Sequence, residues 1–501
     1  MSLNYSASVS VAVSIVFLYS VVSVIHQYLR LRHIKGPISA GFSTWWLVRT
    51  VYSGSSHLEF HKASKKYGHL VRVGPNDIIT SDPDLMRHIL GVRSNYKRSG
   101  WYGAMRLDPG RDNVLSERNN ERHAKLRSQM TAGYSGKEVD NLERKVDENV
   151  LRFINLIDKL ISQDEPFDFG TKVQYFTLDV ITDLAFGKPF GYVESDSDVN
   201  EYIQTMEQNM PNVVVTAVLP WLLAVLSSSL FRCLLPSDKN AIGLGKTIRI
   251  AKEVAKERFG PNRKVKKDML GSFVAHGLTQ EQASSEILMQ ILAGSDTTAT
   301  AIRAPFLYII TNPRVTNILR AEIESAKPSR PVITETEARG MPYLQAIIKE
   351  GLRIFPPVVG QMSKEVPKGG DTFKGVYFPE GTRIGYNAWG IFRRTDIWGP
   401  DAHEFRPERW LEASESKLKL MEGTLELVFS YGTWKCLGRN LAMMELQKVF
   451  VELLRRYKFT VVDPTKPWKS LNYGIFLQSQ FWIRGERRVM QDETITKKKR
   501  K

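Results

Sequence analysis

Two short segments carry residue types that do chemistry. In Phe429-Ser430-Tyr431-Gly432-Thr433-Trp434-Lys435-Cys436-Leu437-Gly438-Arg439 a thiol is bracketed by two glycines and flanked by bases, just before an amphipathic helical pattern. Gly432 and Gly438 allow a tight turn and a close approach of the backbone to a planar ligand. The following helix N-terminus, with Lys435 and Arg439, favours thiolate over thiol and so points to a metal ligand. A lone cysteine is ordinarily an inert core residue, so the weight rests on the surrounding pattern. The second segment, Ala293-Gly294-Ser295-Asp296-Thr297-Thr298, puts small residues and an acid followed by a hydroxyl inside a helical run. Gly and Thr are unfavourable there by propensity. The segment reads either as a loosely packed kink with a solvent-facing Asp296, or as a groove beside the helix with a proton-handling pair.

Taken together, the two segments resemble the haem-thiolate monooxygenases of the cytochrome P-450 superfamily, of the fungal microsomal type similar to pisatin-demethylase-like members. The resemblance implies that Cys436 ligates the iron of heme b within a loop that includes Phe429, Gly432, Trp434 and Gly438. It implies that Thr297 hydrogen-bonds dioxygen and that Asp296 relays protons to it, while the thiolate pushes electron density into the iron. Trp434 departs from the family pattern, which has Arg or His toward a haem propionate. An indole has one N–H donor and no charge, so donation to the propionate and simple packing both stay open, with Lys435 as a nearby charge. His123 and Arg127, four apart on a basic helical stretch, match propionate-binding positions, as does Lys364. At that last position the family usually has Arg, and Lys offers a point charge in place of a fork.

Lys349-Glu350-Gly351-Leu352-Arg353, followed by Phe355-Pro356-Pro357, resembles the family's K helix, and Phe405-Arg406-Pro407-Glu408-Arg409-Trp410 its meander. An exposed pair three residues apart on a helix contributes little. The resemblance implies instead a buried ion network of Glu350, Arg353 and Arg409 that supports the cysteine loop.

The element that must carry Asp296 and Thr297 is predicted from Thr279 to about Asn312. Thr279 and Gln282 have capping-box spacing, and Asn312-Pro313 closes it. Pro305 removes a hydrogen bond to Ala301 and predicts a kink. A second helix is predicted over residues 343–355. The resemblance covers nearly the whole chain and implies a mainly α fold with a small β region.

With 42% hydrophobic and 10% aromatic residues the 501-residue chain can bury a large core, which excludes disorder for its body. Its two cysteines, Cys233 and Cys436, exclude a disulfide scaffold and fit a reducing compartment. The formal charge of +17 comes with no finger, helix-turn-helix or RNA-binding pattern, so no nucleic-acid partner is expected. Part of that charge is the terminal Lys497-Lys498-Lys499-Arg500-Lys501 run, read as a solvated tail, in which Lys498 and Lys499 stand where a dilysine retrieval signal would.

No charged residue precedes Arg30, and residues 7–25 are an apolar and hydroxyl run, close to the roughly 20 residues that span a bilayer. They are predicted to form a transmembrane helix, with Arg30, Arg32 and Lys35 holding the body on the cytoplasmic side. A cleaved signal peptide is the rival, but there is no basic n-region and no small-residue cleavage site. The expected organisation is a lumenal N-terminus and anchor (1–29), a catalytic domain (30–490) and a basic tail (491–501), on the endoplasmic reticulum membrane. A second uncharged stretch, 211–231, is interrupted by Pro220, and a proline inside a helix costs about 3 kcal/mol. By resemblance it lies between the F and G helices and touches the membrane without crossing it.

The activity implied is insertion of one atom of dioxygen into an apolar small molecule, by hydroxylation, epoxidation or multistep oxidation, in fungal secondary metabolite biosynthesis. Electrons would come from NADPH through NADPH-cytochrome P-450 reductase, with cytochrome b5 as a further partner. The substrate pocket is expected from residues 96–113, 213–231, 287–297, 358–362 and the loop after Leu471, which are mostly apolar. A haem-thiolate isomerase or lyase working without reductase is the alternative, and Asp296-Thr297 speaks against it. A membrane-tethered haem sensor or carrier would need a sixth ligand near Thr297, and the sequence offers none evident.

Overall fold

Helix Gln280–Ile310 runs for 31 residues through the protein and is buried on nearly every face. Its start is set as the spacing predicts: Thr279 accepts from the Gln282 backbone N–H, and the Gln282 side chain accepts from that of Thr279. Helices Phe169–Phe186, Gly243–Lys256, Pro342–Ile354 and Arg439–Arg456 pack around it. The computed structural model describes residues 2–108, 110–231, 233, 235–238 and 243–488. The basic tail with its dilysine therefore lies outside the described residues.

One expectation about the central helix is corrected. Gly294 does not open a space, because a Cβ there would lie 2.7 Å from Ile181 Cγ1, so its lack of a side chain serves close packing on helix Phe169–Phe186. Pro305 lies inside the helix, which continues to Ile310, close to the expected end at Asn312. Its ring sits against Gly351 of helix Pro342–Ile354, where any Cβ would overlap it. One backbone hydrogen bond is thus exchanged for a close helix–helix approach.

The β structure is minor, as expected. A five-stranded sheet runs in the order Leu70–Gly74, Asp77–Thr80, Arg383–Tyr386, Lys364–Glu365, Lys97–Arg98. The last pair is antiparallel and sets Arg98 opposite Lys364. Strand Phe476–Ser479 pairs with Lys469–Asn472 and leans on the central helix.

Glu350 sits at the centre of a closed ionic lock. Its carboxylate accepts from Arg353 Nε (2.9 Å) and Nη2 (2.8 Å), Arg409 Nε (2.9 Å), Trp410 Nε1 (3.0 Å) and the Arg406 backbone N–H (2.9 Å). The arginines also donate to backbone carbonyls of Phe392, Trp398, Asp401, Ala402 and Glu404. The network thus fastens the 392–410 segment onto helix Pro342–Ile354, not the cysteine loop directly.

Helix Ser2–Arg30 contains the predicted residues 7–25, and its C-terminal end is docked: Arg72 donates to the carbonyls of Tyr28 (3.0 Å) and Gln27 (2.9 Å). Among the described residues no single helix is long and apolar enough to cross a membrane, and one bent pair, Val199–Val218 with Pro220–Leu226 at 112°, passes by length and composition. Pro220 opens the second member of that pair, where its missing N–H is not needed.

Candidate active site

Cys436 is surrounded by protein, yet its side chain remains accessible. The accessible area therefore faces an interior space. Ala293 and Thr297, in the middle of the buried central helix, are also accessible and open inward in the same way.

The cysteine loop is built from its backbone. The Cys436 N–H donates to Phe429 O at 2.7 Å, closing the turn. Gly432 has φ +61° and packs so tightly on the Leu90 carbonyl that no side chain fits, as expected for a left-handed turn. Gly438 is different: its φ is −82° and its nearest neighbour in the Cβ direction is Tyr134 at 3.9 Å. It caps helix Arg439–Arg456 without needing glycine's extra freedom. Burial pushes the Cys436 thiol up, outweighing the Gly438 and Arg439 N–H groups and the Arg127 and Arg439 cations that pull it down. The flanking bases alone therefore do not produce a thiolate. A metal ion bound at the sulfur would favour the ionised form.

Above the loop lies a cluster of basic side chains. Lys364 Nζ sits 3.1 Å from the Trp434 ring centroid, the Arg98 guanidinium carbon 4.3 Å from it, and the His123 ring 4.4 Å away. Lys364 and Arg98 are 1% and 5% exposed; Arg98 Nη1 donates to the Val114 and Glu117 carbonyls at 2.8 Å, while Lys364 Nζ and Arg98 Nε have no hydrogen-bond partner among the described residues. Like charges opposed across strands destabilise a sheet, and burial with Arg98 alongside pushes the Lys364 amine down to about 5. Such a pair calls for buried anions. The two propionates of a haem would meet that need, so these residues fit the cofactor. Trp434 packs between the cations. Lys435 does not supply charge here, since it is half-exposed and pairs with Glu426 at 3.8 Å. His123 is buried and held down to about 3, first by burial and then by Arg98, Arg127 and Lys364, so its ring is neutral in the haem-free fold. Arg127 faces Cys436 electrostatically. Arg98 was not legible in the sequence, because only strand register brings it to Lys364.

This arrangement yields a test with two signs. The unfolded chain holds a proton on Lys364 up to its ordinary value of 10.5, the haem-free fold only to about 5. The haem-free protein therefore gains stability as pH rises between those values. Lys364→Met is expected to raise the melting temperature of haem-free protein at neutral pH and to speed haem transfer from loaded protein to a globin acceptor. Parallel melting and haem-transfer measurements check both signs.

Asp296 is buried, not solvent-facing. Its Oδ1 accepts from Gln174 Nε2 at 2.9 Å, and its Oδ2 from Tyr202 OH at 3.0 Å and Ser295 Oγ at 3.3 Å. Burial raises its carboxyl to about 6, moderated by Tyr202, Arg303 and Gln174. Thr297 Oγ1 donates to Ala293 O at 2.7 Å on the inward side of the helix. The two members of the acid–alcohol pair thus address different partners on different faces of the helix. Gln174, Tyr202 and Arg303 come from positions with no local signal in the sequence. Glu286 was also missed: it is buried, accepts from the Val114 N–H at 2.7 Å, and is pushed up to about 8 by burial.

Four of the expected pocket segments meet in one apolar cluster that includes Trp101, Met105, Val214, Val218, Met362 and Tyr473. Val359 and Gly360 donate to Gly474 O at 2.8 and 3.0 Å, joining residues 358–362 to the loop after Leu471.

Comparison with known proteins agrees with this geometry. The family Cytochrome P450 matches residues 39–480. Cytochrome P450 monooxygenase ABA1 of Pyricularia oryzae is 40% identical over 493 residues, covering 95% of this chain and 96% of that protein. Cytochrome P450 monooxygenase aba1 of Botryotinia fuckeliana is 39% identical over 466 residues, 91% of each chain. Pisatin demethylase of Fusarium vanettenii is 29% identical over 455 residues, 88% of this chain and 86% of that protein. With a thiol, a buried Arg98–Lys364 pair and an acid–alcohol helix placed as described, and relatives matched over most of their length, the chain belongs to the cytochrome P450 family of fungal monooxygenases.

Proposed function

We propose that this protein is a membrane-held, reductase-dependent monooxygenase of an apolar metabolite, and the observation that carries the reading is the Asp296–Thr297 pair set across the central helix. Cys436, Arg98, Lys364, His123 and Arg127 would hold a haem, which when bound supplies activation of dioxygen for insertion of one atom into a C–H or C=C bond. The protein's own task is then proton delivery. A carboxyl near 6 both takes and releases protons at physiological pH. Asp296 takes its proton on the outer side, where Gln174 and Tyr202 hold it, and rotation about its side chain brings it toward Thr297. The Thr297 hydroxyl presents its lone pairs inward and passes the proton on.

The apolar walls support a terpenoid, polyketide, alkaloid or lipid substrate over a sugar or nucleotide, and the fungal relatives support a place in secondary metabolism. Exposed apolar side chains at Trp45, Tyr52, Trp221 and Leu230 lie on or next to helices Trp45–Tyr52 and Pro220–Leu226, which flank helix Tyr202–Val218. They support a face dipping into a bilayer, with helix Ser2–Arg30 as the anchor in the endoplasmic reticulum membrane. A groove of about 770 Å³ beside the cysteine loop is lined by Arg87, His88, Arg93 and Lys435. It supports docking of an acidic flavoprotein reductase, or of cytochrome b5, with its basic rim speeding encounter.

Thr297→Ala is expected to retain haem and to divert about ten times more of the consumed NADPH to peroxide, measured as peroxide formed per NADPH in the reductase-reconstituted enzyme. Unchanged coupling would remove Thr297 from this role. Turnover without NADPH and reductase would favour the isomerase or lyase reading.

A further inference from the structure

A second, smaller cavity reaches Asp296 from the outside. It has a volume of about 30 Å³ and lies between helices Phe169–Phe186, Tyr202–Val218 and Gln280–Ile310 and strand Phe476–Ser479. That is room for two or three waters, each needing roughly 10–15 Å³. Asp296 lies at its buried end, 5% exposed, while Glu207 at its rim is exposed. Gln478 lines the same cavity, 5% exposed, and its amide nitrogen and oxygen both lack a protein partner among the described residues. A buried amide with neither function satisfied is costly unless water answers it. Arg303 braces the inner wall: its Nε donates to Gly170 O at 2.8 Å, and its Nη2 to Gln174 Oε1 at 2.8 Å, while Gln174 Nε2 donates to Asp296. The Asp296 carboxylate is therefore held turned toward this cavity and away from Thr297.

We propose that this cavity is the proton inlet of the site, with Gln478 holding water between Asp296 and Glu207, and with Glu207 as the carboxylate that collects protons at the outer mouth. A proton passes from solvent to Glu207, through the water held by Gln478, to the Asp296 carboxylate, and each carrier returns to its starting state when the next proton arrives. Arg303 and Gln174 are positioning residues, fixing where Asp296 receives its proton.

The inlet rests on the haem-thiolate reading, so the test separates the two. In ferric protein without turnover, the infrared carboxyl band of protonated Asp296 is isolated by difference against Asp296→Asn and followed with pH. The groups facing Asp296 are Gln174 and Thr171 from one helix, Tyr202 and Glu207 from the next, Ser295 and Arg303 on its own helix, and Gln478 and Ser479 on the strand. Wild type is expected to titrate at about 6. Gln478→Leu, which removes the water-holding amide, is expected to shift that midpoint upward by about one unit, since dehydration disfavours the charged form. Glu207→Gln, an exposed and conservative change, is expected to slow dioxygen uptake with reductase and NADPH about three- to tenfold and to enlarge its solvent isotope effect. An unchanged midpoint in Gln478→Leu overturns the inlet, as does a Glu207→Gln enzyme with wild-type uptake and isotope effect. A thiolate-type Soret band in the reduced carbonyl adduct of wild type and variants keeps the haem-thiolate reading intact in either event.

Discussion

Glu350→Ala is expected to destabilise the protein by about 3–5 kcal/mol and to abolish haem incorporation in the cell. The carboxylate it removes is fully enclosed and accepts five N–H bonds, four from side chains and one from the backbone. Without it Arg353, at 0% exposure, keeps only carbonyl partners, and Arg409, at 3%, is left with Asp401 at 3.0 Å. An uncompensated buried guanidinium loses its hydration and gains no counter-charge, which is why breaking a buried pair is so much worse than never having built it. The loss reaches the site indirectly, because the lock fastens residues 392–410 to the helix on which Pro305 of the central helix packs. Urea unfolding of haem-free protein, with haem content of the purified holoprotein, measures both effects. A wild-type midpoint would show that the lock bears no structural load.

Cys436→Ser is expected to fold and to lose monooxygenation altogether. The loop that holds position 436 is made by backbone contacts, the Cys436 N–H to Phe429 O and the Gly432 approach to Leu90, and a serine keeps all of them. What changes is the ligand atom. A hydroxyl is far harder to ionise than a thiol, and even the thiol here is pushed up by burial. A serine at this position therefore offers no anionic ligand and no electron push. The reduced carbonyl adduct should lack the thiolate-type Soret band, and reductase-supported oxidation should fall below detection while the melting temperature of haem-free protein stays within a few degrees of wild type. Retention of that band would take Cys436 out of the site.

The Lys364 prediction turns on a feature that neither residue announces. Lys97-Arg98 and Lys364-Glu365 are unremarkable dipeptides until antiparallel pairing sets Arg98 and Lys364 side by side over Trp434. The same holds for Asp296, whose neighbours Gln174 and Tyr202 belong to two other helices. Each of these polar contacts is long-range, and a polar residue far along the chain has no periodicity to betray its partner.

By itself the sequence determined the chemistry and the elements that carry it: the cysteine turn, the capped central helix from Thr279, the Glu350–Arg353 helix and a mainly helical architecture. These are local properties, set by residue type, spacing and capping over a few turns. Only the tertiary structure decided where the charges stand. It made His123 neutral, took Lys435 to the surface, brought in Arg98, turned Asp296 away from Thr297 and seated Pro305 on Gly351. Burial and register act between segments hundreds of residues apart, and the free energy of an ionisable group depends on what encloses it more than on what precedes it.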